Sequence, residues 1–170
     1  MIAQNIPPGL SRTFAFEQFK TFPKAVIKEA RQESASLINL SNPPEILAYD
    51  IDKSAVALGK ENAKKAGVKA CIHFAEKSFH DMKLDTDHGI LICNPPYGAR
   101  LSEPADIKAL CTHMGRLLRE NPTWSFYVLT AYEQFESAFG KKADKKRKLF
   151  NGAIKADYFQ FIGPRPKRVL

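Results

Sequence analysis

Short apolar runs and longer amphipathic stretches alternate along this chain. Residues 46–49, 69–74, 90–93 and 124–130 are short and rich in Ile, Leu, Val and aromatics, which predicts strands. Between them, residues 24–37, 53–66, 103–120 and 131–139 repeat apolar positions at helical spacing. Strands alternating with helices predict a parallel α/β sheet. Residues 90–93, Ile-Leu-Ile-Cys, have no polar position and predict a strand buried on both faces; 46–49 reads the same way. The clearest helical stripe lies in 103–120, where Ile107, Leu110, Cys111, Met114, Leu117 and Leu118 fall on one side. The helix over 24–37 offers Ala25, Ile27, Ala30 and Leu37 to a core. Near the end, residues 149–150 and 154–162 flank Asn151-Gly152, which predicts an antiparallel hairpin.

Punctuation agrees with this pattern. Pro23 suits a helix N1 position, Asp52 a helix N-cap, and Gly67 and Gly140 helix stops. Residues 1–6 resemble the last turn of a helix, ended by Pro7-Pro8-Gly9. Residues 10–22 are irregular, and Phe14, Phe16, Phe19 and Phe22 are expected to pack beneath the first helices. Arg12 is expected in a surface salt bridge, with a contact to substrate or cofactor as the alternative.

Composition narrows the class. A chain of 170 residues predicts one domain over 1–170, large enough for a core. Hydrophobic content of 44% and charged content of 26% are those of a globular protein. No apolar run approaches the roughly 20 residues that span a membrane. The N-terminus lacks a secretion signal, so a cytoplasmic protein is expected. Cys71, Cys93 and Cys111 have no CxxC spacing and read as reduced core thiols. His73, His80, His88 and His113 show no ligand spacing, so no metal site is predicted. The net charge of +8 is local. It gathers in Lys141, Lys142, Lys145, Lys146, Arg147 and Lys148, with Asp144 the one acid among them, and in Arg165, Lys167 and Arg168. A local basic patch predicts a polyanionic partner.

The candidate chemistry sits where the run 90–93 ends, in Asn94-Pro95-Pro96-Tyr97-Gly98. Open α/β sheets bind ligands at the carboxyl ends of their strands. The Asn94 oxygen can accept a hydrogen bond from an exocyclic amine. Pro95 and Pro96 stiffen the loop and leave carbonyls as acceptors, Pro95 offering the second one. Two acceptors on one amine aim its lone pair at an electrophile, which is catalysis by positioning. Tyr97 can stack on the base. Asp50, at the end of another apolar run, can accept both ribose hydroxyls of a nucleoside cofactor.

These residues resemble a known family. Asn94-Pro95-Pro96-Tyr97 is similar to the amino-methylation motif of class I S-adenosylmethionine-dependent methyltransferases. The chain more closely resembles the catalytic domain of THUMP-containing 23S rRNA guanine-N2 methyltransferases, often labelled N6-adenine-specific DNA methylases. Asn5-Ile6-Pro7-Pro8-Gly9-Leu10, Tyr49-Asp50-Ile51-Asp52 and the segment 142–152 carry the likeness, the last most specifically. The resemblance implies a Rossmann-like class I methyltransferase sheet with a C-terminal antiparallel hairpin. It implies S-adenosylmethionine as cofactor, held by Asp50, Ile51, Ser78, Phe79 and Asn94. Ser78 stands where many of these enzymes keep an acid for the adenine, so Phe79 or nearby backbone is the alternative contact. Asn94, Pro95, Pro96 and Tyr97 would be catalytic. Lys141, Lys142, Lys145, Lys146, Arg147 and Lys148 would bind RNA, 23S rRNA by resemblance. The motif alone suits adenine N6 and cytosine N4 as well.

The family's first strand and glycine-rich turn have no counterpart here. The expectation is a piece of a longer protein, without the THUMP module, that first strand and most of the first helix. Its loss would leave the strands ending at Asp50 and Asn94 each without a neighbour. A catalytically inactive RNA- or partner-binding fragment is therefore an alternative, as is a homo-oligomer that exchanges a strand.

Overall fold

The computed structural model describes residues 1–10, 12–41, 43–96 and 104–166. The chain divides into two compact units, Met1–Phe79 and His80–Leu170.

In the N-terminal unit, helix α1 (Lys24–Ser36) precedes strand β1 (Ile46–Asp50), helix α2 (Lys53–Lys65) and strand β2 (Ile72–Glu76). β1 and β2 pair in parallel, Ile46 opposite Ile72 and Asp50 opposite Glu76. Val56 and Ala63 of α2 are buried with Val68 and Cys71. The Cys71 Sγ donates to Oε1 of buried Gln4 at 3.5 Å. Three expectations fail here. β1 is largely open instead of buried, with Leu47 58% exposed, because β2 covers only one of its edges among the described residues. α1 buries none of its residues, Leu37 included. Pro23 is the N-cap of α1, one position earlier than expected.

Residues 9–22 are organised by one side chain. The Arg31 guanidinium donates to the carbonyls of Gly9, Leu10 and Arg12 at 3.3, 2.9 and 2.6 Å. It also meets Glu17 at 2.8 Å. Phe14 stacks on Phe16 at 5.5 Å and Phe16 packs on Phe22 at 5.0 Å, while Phe19 stays exposed. Arg12 lies 4.9 Å over the Phe14 ring in place of the expected salt bridge.

The C-terminal unit holds β3 (Ile90–Cys93), α3 (Pro104–Glu120), β4 (Ser125–Thr130), α4 (Phe135–Phe139), β5 (Lys145–Asn151) and β6 (Ile154–Phe161). The sheet order is β3-β4-β6-β5, with β3 parallel to β4 and the other pairs antiparallel. Register puts Leu91, Phe126 and Phe161 on one sheet face, with Val128 and Phe159. All are buried, and α4 seals them: Phe135 lies 4.6 Å from Phe159 and Phe139 stacks 4.2 Å from Phe161. Most of the predicted stripe of α3 is core, with Ile107, Cys111, Met114, Leu117 and Leu118 buried and Leu110 half-buried. Gly115 lets α3 approach the backbone at Phe139, where a Cβ would strike the carbonyl oxygen. β3 is buried on one face only: Ile90 and Ile92 remain 66% and 78% exposed. The hairpin forms, but its turn is one residue later than expected. Asn151 pairs with Ile154, so the two-residue turn is Gly152-Ala153 with Gly152 at φ 61°, and β5 starts at Lys145, before the expected 149.

Candidate functional site

β3 carries Leu91 into the core and runs parallel to β4, so its carboxyl end has a fixed position in this unit. Asn94 is the first residue beyond it and is exposed. Pro95 is buried and Pro96 exposed. A buried proline with fixed φ anchors the backbone that presents the amide. Among the described residues, nothing hydrogen-bonds the Asn94 side chain. Its oxygen is therefore open to a ligand. Tyr97 and Gly98 lie outside the described residues.

In the N-terminal unit, Asp50 closes β1 and is exposed. Its carbonyl accepts the Lys77 N–H at 2.9 Å, which ties it to the end of β2. Its Oδ1 accepts the Asp52 N–H at 2.9 Å. A carboxylate has about four acceptor positions, so Oδ2 and part of Oδ1 remain open. Asp52 does different work. Its Oδ1 accepts from the Ser54 hydroxyl and N–H, both at 2.7 Å, capping α2 as expected. Those two bonds, the hydroxyl's first, hold its carboxyl below the usual value. Ile51, beside Asp50, is 71% exposed. Ser78 and Phe79 follow β2 and are half-buried. Asp50, Ile51, Ser78 and Phe79 thus share the carboxyl edge of a parallel pair, where such sheets bind ligands.

The basic segment is mostly strand. On β5, side chains alternate between faces. Lys146 shares the face of Phe159, lying 4.7 Å over its ring. It pairs with Asp157 at 3.1 Å and Glu136 at 3.9 Å, so its charge is locally neutralised. Lys145 and Arg147 point to the other face, exposed and without an acidic partner among the described residues. Lys142 and Lys148 are exposed too. Lys141 is exposed at 5.9 Å from the Phe161 ring. Sequence reasoning missed a second basic stripe. Lys108, Arg116 and Arg119 lie on the exposed side of α3, at the helical spacing that had been read only for its apolar side. It also missed the 5.0 Å packing of His80 on His113, residues too far apart in sequence to suggest contact.

Parallel strand pairs with helical crossovers, and an exposed Asn94 at a strand tip, are features of a class I methyltransferase fold. The chain belongs to the family described as "RMKL-like, methyltransferase domain", which matches residues 1–160. It is 41% identical over 169 residues to "Putative RNA methyltransferase YpsC" of Bacillus subtilis, covering 99% of this chain and 44% of that protein. It is 34% identical over 171 residues to "Ribosomal RNA large subunit methyltransferase K/L" of Cellvibrio japonicus, covering 95% and 23%. Among solved structures, SMU.472 complexed with SAH superposes with a TM-score of 0.90 at 37% identity, covering 98% of this chain and 44% of that one. The chain spans less than half the length of each of these relatives.

Proposed function

We propose that this domain transfers a methyl group from S-adenosylmethionine to an exocyclic base amine in RNA, with guanine N2 of 23S rRNA as the target. The observation that carries this reading is the open Asn94 amide at the tip of β3, on a backbone anchored by buried Pro95. The names of the relatives support RNA as substrate. The ribosomal RNA target makes the cytoplasm the place of work.

The N-terminal unit fits a nucleoside cofactor. Asp50 keeps acceptor positions open for ribose hydroxyls. Exposed Ile51 offers apolar surface to the adenine, and Phe79 a ring to stack on it. Ser78 stands nearby as a polar contact. When bound, S-adenosylmethionine would supply the methyl group from its sulfonium and leave as the neutral thioether, and the methylated amine would release its extra proton to water. Asn94 Oδ1 and the Pro95 carbonyl accept the two amine protons. That fixes the amine and turns its lone pair out of the ring, which conjugation otherwise resists. Tyr97 completes the loop as the stacking platform. Lys141, Lys142, Lys145, Arg147 and Lys148 attract phosphates, while Lys146 is already paired and holds β5 to its neighbours. Asn94→Ala is expected to lower methyl transfer to RNA by about 10² or more while RNA affinity stays within two-fold. Equal loss of both would remove Asn94 from the chemistry.

A second reading rests on the two separate sheets. β1 and β3 each have one edge without a partner among the described residues, and both carry exposed isoleucines. Such edges accept a strand from another chain or another copy. On this reading the chain binds RNA or a partner without turning over. Calorimetric titration with S-adenosylmethionine separates the two. Micromolar binding by the 170-residue chain supports the enzyme, and no binding supports the second reading.

A further inference from the structure

The exposed side of α3 is not the featureless solvent face that an amphipathic helix usually shows. Lys108, Thr112, Arg116 and Arg119 follow one another along it and line an open groove of about 580 Å³ with His80 and His113. At 1.5 Å per residue the three cations span about 16 Å of helix. Asp106 and Glu120 are the acids of α3. Among the described residues, Glu120 is the carboxylate paired with a stripe cation, 3.9 Å from Arg116, and both side chains are more than half exposed. Pairs of that kind contribute little and exchange readily for another anion. Arg116 Nη2 also lies 2.8 Å from His113 Nδ1, which points the guanidinium along the groove.

The stripe does not end with the helix. Arg119 Nη1 donates to the Phe139 carbonyl at 3.3 Å, and the Thr112 hydroxyl contacts the Ala138 carbonyl at 3.1 Å. These bonds dock the stripe onto the C-terminal end of α4. From there the chain passes through Gly140 directly into Lys141 and Lys142. The basic side of α3 and the basic segment leading into β5 are therefore one surface.

We infer that Lys108, Arg116 and Arg119 extend the basic segment into a continuous track that holds the RNA sugar-phosphate backbone. The inference rests on the reading of this domain as an RNA methyltransferase and adds a binding surface to it. The chemistry is sequence-blind: exposed guanidinium and ammonium groups along an open groove, with His80 and His113 packed on one another at its side. Arg116 and Arg119 supply planar forks suited to phosphate oxygens, and Lys108 a point charge.

The test measures the affinity of a labelled single-stranded RNA for the 170-residue chain against salt concentration. Lys108→Gln with Arg116→Gln should reduce the slope of log affinity against log salt by about 1.4, two phosphate contacts' worth. That corresponds to about twenty-fold weaker binding at 0.1 M salt. Lys108→Gln alone, at an exposed position, should reduce the slope by about 0.7 and covers the case in which the double variant folds poorly. Lys60→Gln with Lys64→Gln, on α2, should leave slope and affinity unchanged. S-adenosylmethionine binding should be the same for every variant. If the parent binds RNA and the α3 variants match it, the track is wrong and the methyltransferase reading stands. If the parent binds neither RNA nor S-adenosylmethionine, both fail. Parent binding to anionic phosphatidylglycerol vesicles but not to RNA would overturn RNA as the occupant.

Discussion

The two units use similar sequence to different effect. Among the described residues, five phenylalanines are buried from His80 onward, with Leu91, Ile107, Met114 and Val128 among their apolar companions; before it the buried core is Val56, Ala63, Val68 and Cys71. Yet β1, Ile-Leu-Ala-Tyr-Asp, is as apolar as β4, Ser-Phe-Tyr-Val-Leu-Thr. β4 has a strand on each side and two helices packed in its unit, and every second residue is buried. Among the described residues β1 has one neighbouring strand, and none of its own residues is fully buried. An apolar run therefore states a capacity for burial, and its neighbours decide how much is realised. Fully burying one phenylalanine is worth about 1.5–3 kcal/mol, so the difference falls mainly on the C-terminal unit's stability.

The largest test of that contrast is a pair of truncations. Phe139→Ala removes a ring that is 1% exposed and stacked on Phe161, and should cost about 3–5 kcal/mol in urea unfolding. Leu47→Ala, at a position 58% exposed, should cost under about 1 kcal/mol. A Leu47→Ala penalty as large as that of Phe139→Ala would mean that β1 is covered in solution, and the contrast would collapse.

The helices and strands were legible because their signals are local. The stripe Ile107 to Leu118 reports its own burial, since a 3.6-residue period leaves one apolar face with a single destination. Asp52 and Gly152 were legible for the same reason: a cap and a tight turn are decided within three residues. At the site, the exposure of Asn94 and Asp50 follows from their place just past apolar strands. What stayed hidden depends on distant partners. Nothing near Lys146 in sequence shows that Asp157 neutralises it, because the hairpin register makes that pair. Nothing near Ile92 shows that one face of β3 lacks cover. The run 90–93 has no polar position to mark a face, so its continuity was read as two-sided burial.

A smaller effect is expected at Arg31, which ties residues 9–17 to α1 in the N-terminal unit. It holds three carbonyls of residues 9–12 and the Glu17 carboxylate beside the rings of Phe14, Phe16 and Phe22. Arg31→Met keeps the stem and removes the donors. It should destabilise the N-terminal unit by about 1–3 kcal/mol and expose residues 9–22 to proteolysis. Cleavage there at the parent's rate would show that the segment is held by its aromatic rings alone.

The mildest lever is acid, and it acts on two carboxylates of the N-terminal unit. Glu17 Oε1 accepts the Phe14 N–H at 2.9 Å and the Arg31 guanidinium at 2.8 Å. The backbone bond first, then Arg31, holds its carboxyl below the usual 4.5. Asp52 is likewise held below 3.8 by Ser54. A carboxylate lowered by folding adds stability that is complete above its unfolded value and lost as the pH falls through its folded one. Both groups lie in the N-terminal unit, so that unit should loosen first as the pH falls below about 4.5. The protein's single tryptophan, Trp124, belongs to the other unit and reports on it by fluorescence, while circular dichroism follows the helices of both. Helix signal should fall at a higher pH than Trp124 fluorescence changes. Glu17→Gln lowers stability at neutral pH but removes part of the acid-driven loss, so the two transitions should draw together. If they already coincide in the parent, and Glu17→Gln leaves them unmoved, the Arg31–Glu17 clamp does not set the acid stability of its unit.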